Sequence, residues 1–486
     1  MTASPADLFE SFPDRPWPFL LESARSHPVT GRYSFLGSDP VRVMQVKGSR
    51  LLIGPPGHEV ECAGDPMQEL RAWLAHPRLA PIEGLPPFVG GAVGIFGYDT
   101  GRFFERWPST AIGDAQLPLM AWGLYDTVVA VDHAEGALWV ITRVLPDRDA
   151  SSAYEAGMAR LESWIARLQA SRPSARWSTT RETPVVADMD RAGFERMVRQ
   201  AKRWIADGEI YQANLSQRFH AELTEPACGF GKRNVPHHRP LAWALYRRLR
   251  VINPSPFAGY LDTGEAQLIS ASPERLVRVA EGVVETRPIA GTWPRTGQEE
   301  VDRAALQQLI NHPKERAEHL MLVDLERNDL GRVCAYGTVQ VDEMMALEAY
   351  SHVFHIVSNV RGRLQQGRDW ADVVAAMFPG GTITGCPKIR AIELIDQLEP
   401  VRRQWYTGSL GYISFSGAMD LNLIIRSAIV MGNRVSMHVG AGIVADSDPS
   451  REYEETLHKA QALWVALQHS EAALAQEAEL HVPVAG

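Results

Sequence analysis

Several things are scarce in this chain, and each scarcity removes a class of protein. No apolar run is long enough to cross a bilayer, and the opening residues carry Asp7 and Glu10 instead of a basic, apolar leader. A membrane partner is therefore not expected. Basic blocks are absent and the formal net charge is −9, which argues against nucleic acid. There are 4 cysteines, Cys62, Cys228, Cys334 and Cys386, scattered without CxxC or Cys/His ligand spacing. That pattern excludes a structural zinc site and reads as a reduced, cytoplasmic protein. The glycine-rich Gly90–Gly97 lacks the Lys-Ser/Thr of a phosphate loop and an acid at dinucleotide spacing, so it reads as a close-packed strand, not a phosphate cradle. No internal repeat is present.

What remains is a chain of 486 residues, 45% of them hydrophobic, enough for a large core and two or three domains or one oversized one. Short apolar runs alternate with turns through the first third: Tyr33–Leu36, Val41–Val46, Leu51–Ile53, Val129–Val131 and Leu138–Val144. They predict strands of an antiparallel sheet, with a short helix over Gln68–Ala75. The composition turns polar between Leu168 and Val185, which divides the chain into 1–168, a linker 169–185, 186–468, and an Ala/Glu-rich tail 469–486. The loose patch Glu225–Pro240 holds His237 and His238. Neighbouring loop histidines seldom reach one ion together, so a solvated loop is expected there.

The later part carries the chemistry. Arg191–Asp207 has helical spacing and stops at Gly208. Ile210–Phe219 alternates, with Gln212, Asn214, Ser216 and Arg218 on one strand face; that face either meets solvent or lines a polar cavity. The apolar run Leu276–Val284 predicts a strand. Arg287–Arg295 follows it as a loop shaped by Pro288, Gly291 and Pro294, either a linking turn or a ligand wall. A helix runs from Asn311, interrupted at Pro313, and Glu318 shares a stripe with Leu322 and Leu325. A carboxylate on an apolar stripe needs a partner or a cation. A second helix follows Asp448-Pro449 and aligns Glu452, Glu455 and Lys459. Its two readings are a solvated face with a Glu–Lys pair and, with Glu318, an oxygen-only site suited to Mg²⁺. Phe378–Lys388 is a glycine loop ending at a helix N-terminus. Tyr406–Phe415 and Asn422–Met431 read as strands in which Tyr412 and Arg426 are polar residues among apolar ones. Arg426, Lys459, Tyr412 and the glycine backbone near His438–Ile443 would suit a small carboxylate. His355 lies in an apolar strand, where a satisfied core histidine competes with an acid or base.

These stretches, in this order, resemble the chorismate-utilising enzymes, a family that includes anthranilate synthase component I, aminodeoxychorismate synthase component I, isochorismate synthase and salicylate synthase. The resemblance is dense over 185–468. It is weaker over the first third, through Leu20-Leu-Glu-Ser23, Gly31–Gly37 and Gly97–Thr100. It implies an α+β fold of large antiparallel sheets packed as a sandwich with flanking helices. It also implies roles: Glu318 and Glu455 as Mg²⁺ ligands with Glu452 alongside; Tyr412, Arg426 and the Gly440-Ala441-Gly442 backbone around the enolpyruvyl carboxylate; Lys459 near the bound carboxylates. Glu274, in Ser272-Pro-Glu-Arg275, matches the general acid for the departing C4 hydroxyl, and His355 a histidine over the ring. Gly291, Thr292 and Thr384 match the ring pocket, and Ser23 a possible regulatory pocket. Gln212 stands where water-adding members resemble one another in a lysine, which implies amination. The chain shows no Gly-x-Cys-x-Gly motif, so a separate glutamine amidotransferase subunit is the implied ammonia source. Tyr211–Leu215 and Asp446–Pro449 look more like aminodeoxychorismate synthase. Ala290, where known members of that branch carry a lysine, and Leu20–Ser23 lean toward anthranilate synthase. The expected reaction is Mg²⁺-dependent amination of chorismate toward 4-aminobenzoate, with anthranilate formation as the alternative.

Overall fold

Alternation along the strands decides the layering. Phe19 and Leu20 are consecutive, and so are Phe35 and Leu36, and Leu268 and Ile269; in each pair the two side chains enter different cores. A strand turns successive residues to opposite faces, so a sheet that is apolar on both must be covered on both. The structure, a computed structural model, describes residues 4–468 apart from 13, 25–30, 76–81, 109, 114–116, 145–149, 171–183, 223–237 and 350–352. The linker at 169–185, the paired histidines' loop and the tail thus fall largely outside the described residues.

Among those described, the strands form two sheets. The 11-stranded sheet runs from Val185–Ala187 through Gln212–Glu222, Arg434–Ile443, Ser427–Met431, Gln267–Ser272, Phe257–Asp262, Phe19–Glu22, Tyr33–Gly37 and Thr127–Asp132 to Ala137–Thr142, with Gly385–Cys386 paired to Gln212–Glu222. The 12-stranded sheet runs from Ile289–Pro294 through Val353–Arg363, Val283–Thr286, Arg275–Ala280, Met419–Asn422, Ser409–Ser414, Gly91–Phe96, Met120–Tyr125, Arg42–Lys47 and Arg50–Gly54 to Val60–Cys62, with Gln340–Ala349 paired to Val353–Arg363. Between the sheets Phe19, Phe35, Leu261 and Leu268 meet Val93, Ile95 and Leu410. Helices His238–Ile252 and Pro449–Gln468 cover the outer face of the first sheet. Helices Pro66–Ala75, Pro313–Gly331 and Trp370–Met377 cover the second. Each fully buried Leu or Phe contributes about 1.5–3 kcal/mol. The expected α+β sandwich with flanking helices is the observed one.

The division read at residue 168 is not a division of this fold. Phe19–Glu22 pairs with Phe257–Asp262, Phe19 opposite Leu261, and Gly91–Phe96 pairs with Ser409–Ser414, Gly91 opposite Ser414. Both sheets need strands from both parts of the chain.

Two sequence expectations change in detail. Leu276–Val284 is not one strand but most of a hairpin, Arg275–Ala280 and Val283–Thr286, turned at Glu281 and Gly282, both with positive φ. The stretch expected as a loop, Arg287–Arg295, is mostly a strand, Ile289–Pro294, paired to Val353–Arg363 with a bulge between Ala290 and Thr292. The bulge centres on Gly291 at φ 64, and a Cβ there would sit 3.0 Å from Leu309 Cδ1 and 3.2 Å from Glu315 Oε2. Arg287 anchors the entry. Its guanidinium is buried and donates to Glu348 Oε1 at 2.6 and 3.1 Å and to Glu343 Oε2 at 2.6 Å.

The helices that reach the polar end of the sandwich are set by their termini. Asp190 caps Arg191–Ala206 by accepting from Gly193 N at 2.7 Å, and Gly208 at φ 78 follows its end. His312 caps the helix that Pro313 opens. Asp448 Oδ1 accepts from the N–H groups of Ser450 and Arg451 at the start of Pro449–Gln468.

Two charged clusters lie beneath that end. Arg403 and Glu399 form a buried ion pair at 2.7 Å. Arg403 also donates to the carbonyls of Ile383 at 2.8 Å and Asn214 at 2.5 Å, while Glu399 Oε1 accepts from Ser216 N at 2.8 Å and Ser216 Oγ at 2.9 Å. In the second cluster Lys388 Nζ meets Asp329 Oδ2 at 2.5 Å, and Glu326 is buried beside them. Burial raises the Glu326 pKa to about 8, and the Asp329 charge adds to the rise. The Lys388 charge and the Thr286 side chain oppose that rise.

Two predictions follow from this packing. Gly291→Ala should cost about 1–2 kcal/mol, because the left-handed backbone and the Leu309 contact both oppose a methyl group; denaturant unfolding measures it. For Glu326 the folded pKa lies above the unfolded one. Between pH 4.5 and about 8 the folded chain therefore holds a proton that the unfolded chain releases, and stability falls as pH rises. Glu326→Gln cannot titrate, so its stability relative to wild type should improve steadily from pH 4.5 to 8, by about 1 kcal/mol or more. Parallel pH dependences for the two proteins in thermal unfolding would refute this.

Candidate functional site

The space between the sheets is apolar at one end and polar at the other. The polar end is where the strands Gln212–Glu222 and Arg434–Ile443 face Ile289–Pro294 and Val353–Arg363. Its walls gather residues from five separate stretches of sequence.

Glu274 follows the end of Gln267–Ser272. Its backbone N–H donates to Ser272 Oγ at 3.3 Å, and its carbonyl accepts from Leu423 N at 3.0 Å, which fixes the turn. The side chain is buried. Burial raises its pKa to about 7, against the opposing pull of the Thr382 side chain, the Ile289 N–H and the Lys459 charge. This carboxyl holds a proton near neutrality.

His355 lies in Val353–Arg363 opposite Thr292. Its Nδ1 is 3.0 Å from Gly291 O, and because a carbonyl only accepts, Nδ1 carries the proton and donates. Burial lowers its pKa to about 4; the Gly291 bond and Glu348 oppose the shift, while Arg426 and Lys459 add to it. At neutral pH the ring is uncharged.

Arg426 occupies the break between Met419–Asn422 and Ser427–Met431, not the middle of a strand, at φ 52. A bulky, charged residue in the left-handed region is strained, and such strain gathers at functional sites. Its Nη1 donates to Lys459 O at 3.4 Å. Burial lowers its pKa, opposed by Tyr406 and Glu455. Lys459 Nζ donates to Gly440 O at 3.0 Å and pairs with Glu455 Oε1 at 2.5 Å.

Glycine at 440 and 442 is imposed by the neighbouring strand and Tyr406. A Cβ on Gly440 would lie 2.7 Å from Asn214 Oδ1 and 2.9 Å from Tyr406 Oη, and one on Gly442 would lie 2.8 Å from Gln212 Nε2. Ala441 between them turns its methyl into the core with Phe194 and Leu394, so only its backbone borders the site. The ring of Tyr406 stacks on His438 at 5.1 Å.

Helix Pro313–Gly331 closes one side. Glu315 approaches Gly291, and three turns later Leu325 lies 2.4 Å from where a Cβ on Gly381 would be. Glu318 and Leu322 fall on the stripe between those contacts, so Glu318 is half-buried on the face that borders the site. Glu452 is buried on Pro449–Gln468, one turn before Glu455. Among the described residues no three His, Cys, Asp or Glu side chains are grouped to hold a metal ion.

Some expected members stand elsewhere. Tyr412 does not join Arg426: its ring packs against Phe88 at 4.7 Å and Phe35 at 5.3 Å in the inter-sheet core. Strand alternation carries it there, and Tyr406, six residues earlier in the turn before the strand, takes the place beside Arg426 and Gly440. Thr384 is fully buried and its hydroxyl donates to Gly380 O at 2.8 Å, so it shapes the loop and presents no hydroxyl to a ligand. Thr292 is placed by its backbone pairing with His355. Ser23 Oγ donates to Tyr33 O at 2.9 Å and, with Tyr412, lines a separate cavity of about 1470 Å³ toward the other end of the sandwich. His319 and Glu326 were not singled out from sequence, and Asn214 only as one of four polar groups on a strand face. His319 is wholly buried with Nε2 at 2.6 Å from Ser358 Oγ, and its only signal was its place beside Glu318.

The arrangement can hold a small anionic molecule against Arg426, Lys459 and a glycine backbone while a protonated acid faces it. Comparison with known proteins agrees. The model of the chorismate binding enzyme family matches residues 20–464. The chain is 40% identical over 453 residues to aminodeoxychorismate synthase component 1 of Bacillus subtilis, covering 93% of this chain and 92% of that one. It is 38% identical over 479 residues to anthranilate synthase component 1 of Acetivibrio thermocellus, covering 96% and 93%. The crystal structure of anthranilate synthase component I from Streptococcus pneumoniae superposes with a TM-score of 0.77 at 33% identity, over 90% of this chain and 93% of that one. The chain therefore belongs to the chorismate-binding enzyme family.

Proposed function

We propose that this chain is the synthase subunit of a 4-amino-4-deoxychorismate synthase, replacing the C4 hydroxyl of chorismate with an amino group. The observation that carries the reading is the buried acid Glu274, which holds a proton near neutrality, and beside it the reading takes the uncharged amides Gln212 and Asn214 in place of a base. Hydroxide is a poor leaving group, and a positioned acid near its pKa supplies the proton that lets it depart as water. An amide cannot take a proton from water, so that wall favours a nucleophile that is already neutral and reactive. Asn214 is also one of the residues by which Tyr211–Leu215 resembles the aminodeoxychorismate branch, and it faces the site.

In this reading Arg426, Lys459, Tyr406 and the Gly440–Gly442 backbone bind the enolpyruvyl carboxylate. Neutral His355, oriented through Gly291, borders the ring. Glu318 and Glu455, with Glu452 alongside, would hold Mg²⁺. The donor chemistry fits a hard cation: carboxylate oxygens from two helices, with Glu455 exchanging Lys459 for the ion. The ion would neutralise the ring carboxylate. Ammonia comes from a glutamine amidotransferase subunit, in keeping with the component 1 names of the relatives. Among the described residues no helix is long and apolar enough to cross a membrane.

Anthranilate synthase component I is the second reading. It is favoured by Ala290, which offers no nucleophile to the ring, and by the comparable identity of the anthranilate synthase relatives.

Product identity decides between them. Purified protein with chorismate, Mg²⁺ and an ammonium salt should yield aminodeoxychorismate, which a lyase converts to 4-aminobenzoate; fluorescent anthranilate with pyruvate as the main product would transfer the assignment to the second reading. At constant free ammonia the rate should fall as pH rises above about 7, where Glu274 loses its proton. Glu274→Gln should lower kcat by about 10²–10⁴ and remove that limb of the profile.

A further inference from the structure

Helix Pro449–Gln468 brings Glu452, Glu455 and Lys459 to the site, yet much of what holds it to the first sheet is apolar. Ala460, Leu463, Ala466 and Leu467 pack into the outer core with Phe219 and Val439. Such contacts have no direction, so they set how close the helix lies and leave its rotation loosely defined. Lys459 and Glu455 pair at 2.5 Å, but in the proposed site each exchanges the other for a ligand, so that bond gives way on binding.

A buried bond on the same helix is under no such demand. Gln217 and Thr456 are both wholly buried, and Gln217 Nε2 donates to Thr456 Oγ1 at 2.7 Å. Gln217 lies on the outward face of Gln212–Glu222, between Leu215 and Phe219 and opposite Val439, all three apolar. The Thr456 hydroxyl donates its only proton to Tyr453 O at 2.6 Å, so toward Gln217 it only accepts. That leaves the amide one orientation, with Nε2 toward the helix. At the helix start Lys202 Nζ donates to Ser447 O at 2.5 Å. The Lys202 bond sets the height of the first turn, and the directional Gln217 bond sets the rotation.

We infer that Gln217 and Thr456 are a positioning pair, which holds the helix at the rotation that aims Glu455 and Lys459 into the site. The inference rests on the ligand roles proposed above for those two side chains. At about 100° per residue, Glu455, Lys459 and Glu452 lie roughly 100°, 60° and 40° to one side of Thr456, so all three swing together when the helix turns. A rotation of about 5° moves a group about 5–6 Å from the axis by about 0.5 Å, which is the tolerance of a binding constellation. Stability alone does not call for the pair, because two apolar side chains of the same shape would pack there at little cost. Fixing register is the well-attested use of a lone polar contact in an apolar helix interface.

The test uses the full chain and reads binding without turnover. Mn²⁺, which takes the same oxygen ligands as Mg²⁺, is followed by electron paramagnetic resonance, and chorismate, with Mg²⁺ and no ammonium, by calorimetry. Thr456→Val keeps the shape and removes the hydroxyl. It should weaken both bindings about tenfold, while KM for ammonia, measured in turnover, stays within about twofold of wild type. Thr456→Ser keeps the hydroxyl and should bind both within about twofold of wild type. The deciding variant combines Thr456→Val with Gln217→Met, which leaves neither side chain with an unpaired polar group. It should recover the thermal stability that Thr456→Val loses and still show the tenfold loss of binding. It also carries the test should Thr456→Val fail to fold, judged by circular dichroism. Wild-type binding in the double variant overturns the positioning pair alone, since the bond would then serve stability only. A wild type that binds neither Mn²⁺ nor chorismate overturns the roles of Glu455 and Lys459, and the pair with them.

Discussion

One buried ion pair holds the polar end of this sandwich together. Arg403 and Glu399 lie out of water, where an isolated charge would be prohibitively costly, and each is satisfied by several partners. Those partners belong to the strand Gln212–Glu222 and to the turn at Ile383, so the pair fixes how both sit against the segment that leads to Tyr406. Tyr406 in turn borders Gly440 and stacks on His438. Breaking the pair would strand a charge in the interior and release three walls of the site at once. Removing one partner of such a pair costs about 3–5 kcal/mol in other proteins.

The site's electrostatics follow from the same dryness. Burial keeps Glu274 protonated and His355 neutral, although two hydrogen bonds on Glu274 and one on His355 favour the charged forms. The positive charges are left to Arg426 and Lys459. The pocket therefore presents two cations and an uncharged wall. The same residues in water would present a mixture of signs.

Much of this was legible in the sequence, for identifiable reasons. Short apolar runs such as Tyr33–Leu36 marked strands covered on both faces, and the alternation of Ile210–Phe219 marked a strand with one apolar and one polar face. The helix starts at Pro313 and Pro449 were visible because caps and first-turn prolines are local. Glu274, His355, Arg426 and Lys459 were found through ordered motifs, and they converge. What failed was whatever depended on the partner across a ladder. Tyr412 was chosen because it is polar in an apolar run, yet strand parity sends it into the core beside Phe35. Thr384, matched to the ring pocket by resemblance, donates its hydroxyl proton to Gly380 O. Asn214 could not be told from a solvent-facing residue until Gly440 and Gly442 were seen opposite. The apparent boundary near residue 168 reflected composition, which carries no record of which strands pair.

That interleaving has a consequence for how the chain is made. Phe19–Glu22 must wait for Phe257–Asp262, and Gly91–Phe96 for Ser409–Ser414, before either sheet closes. Contacts so distant in sequence are slow to form, and the early strands spend that interval with apolar faces uncovered. Synthesis of the first half yields no unit that can close a sheet by itself, so the nascent protein depends on being finished before it can hide its core.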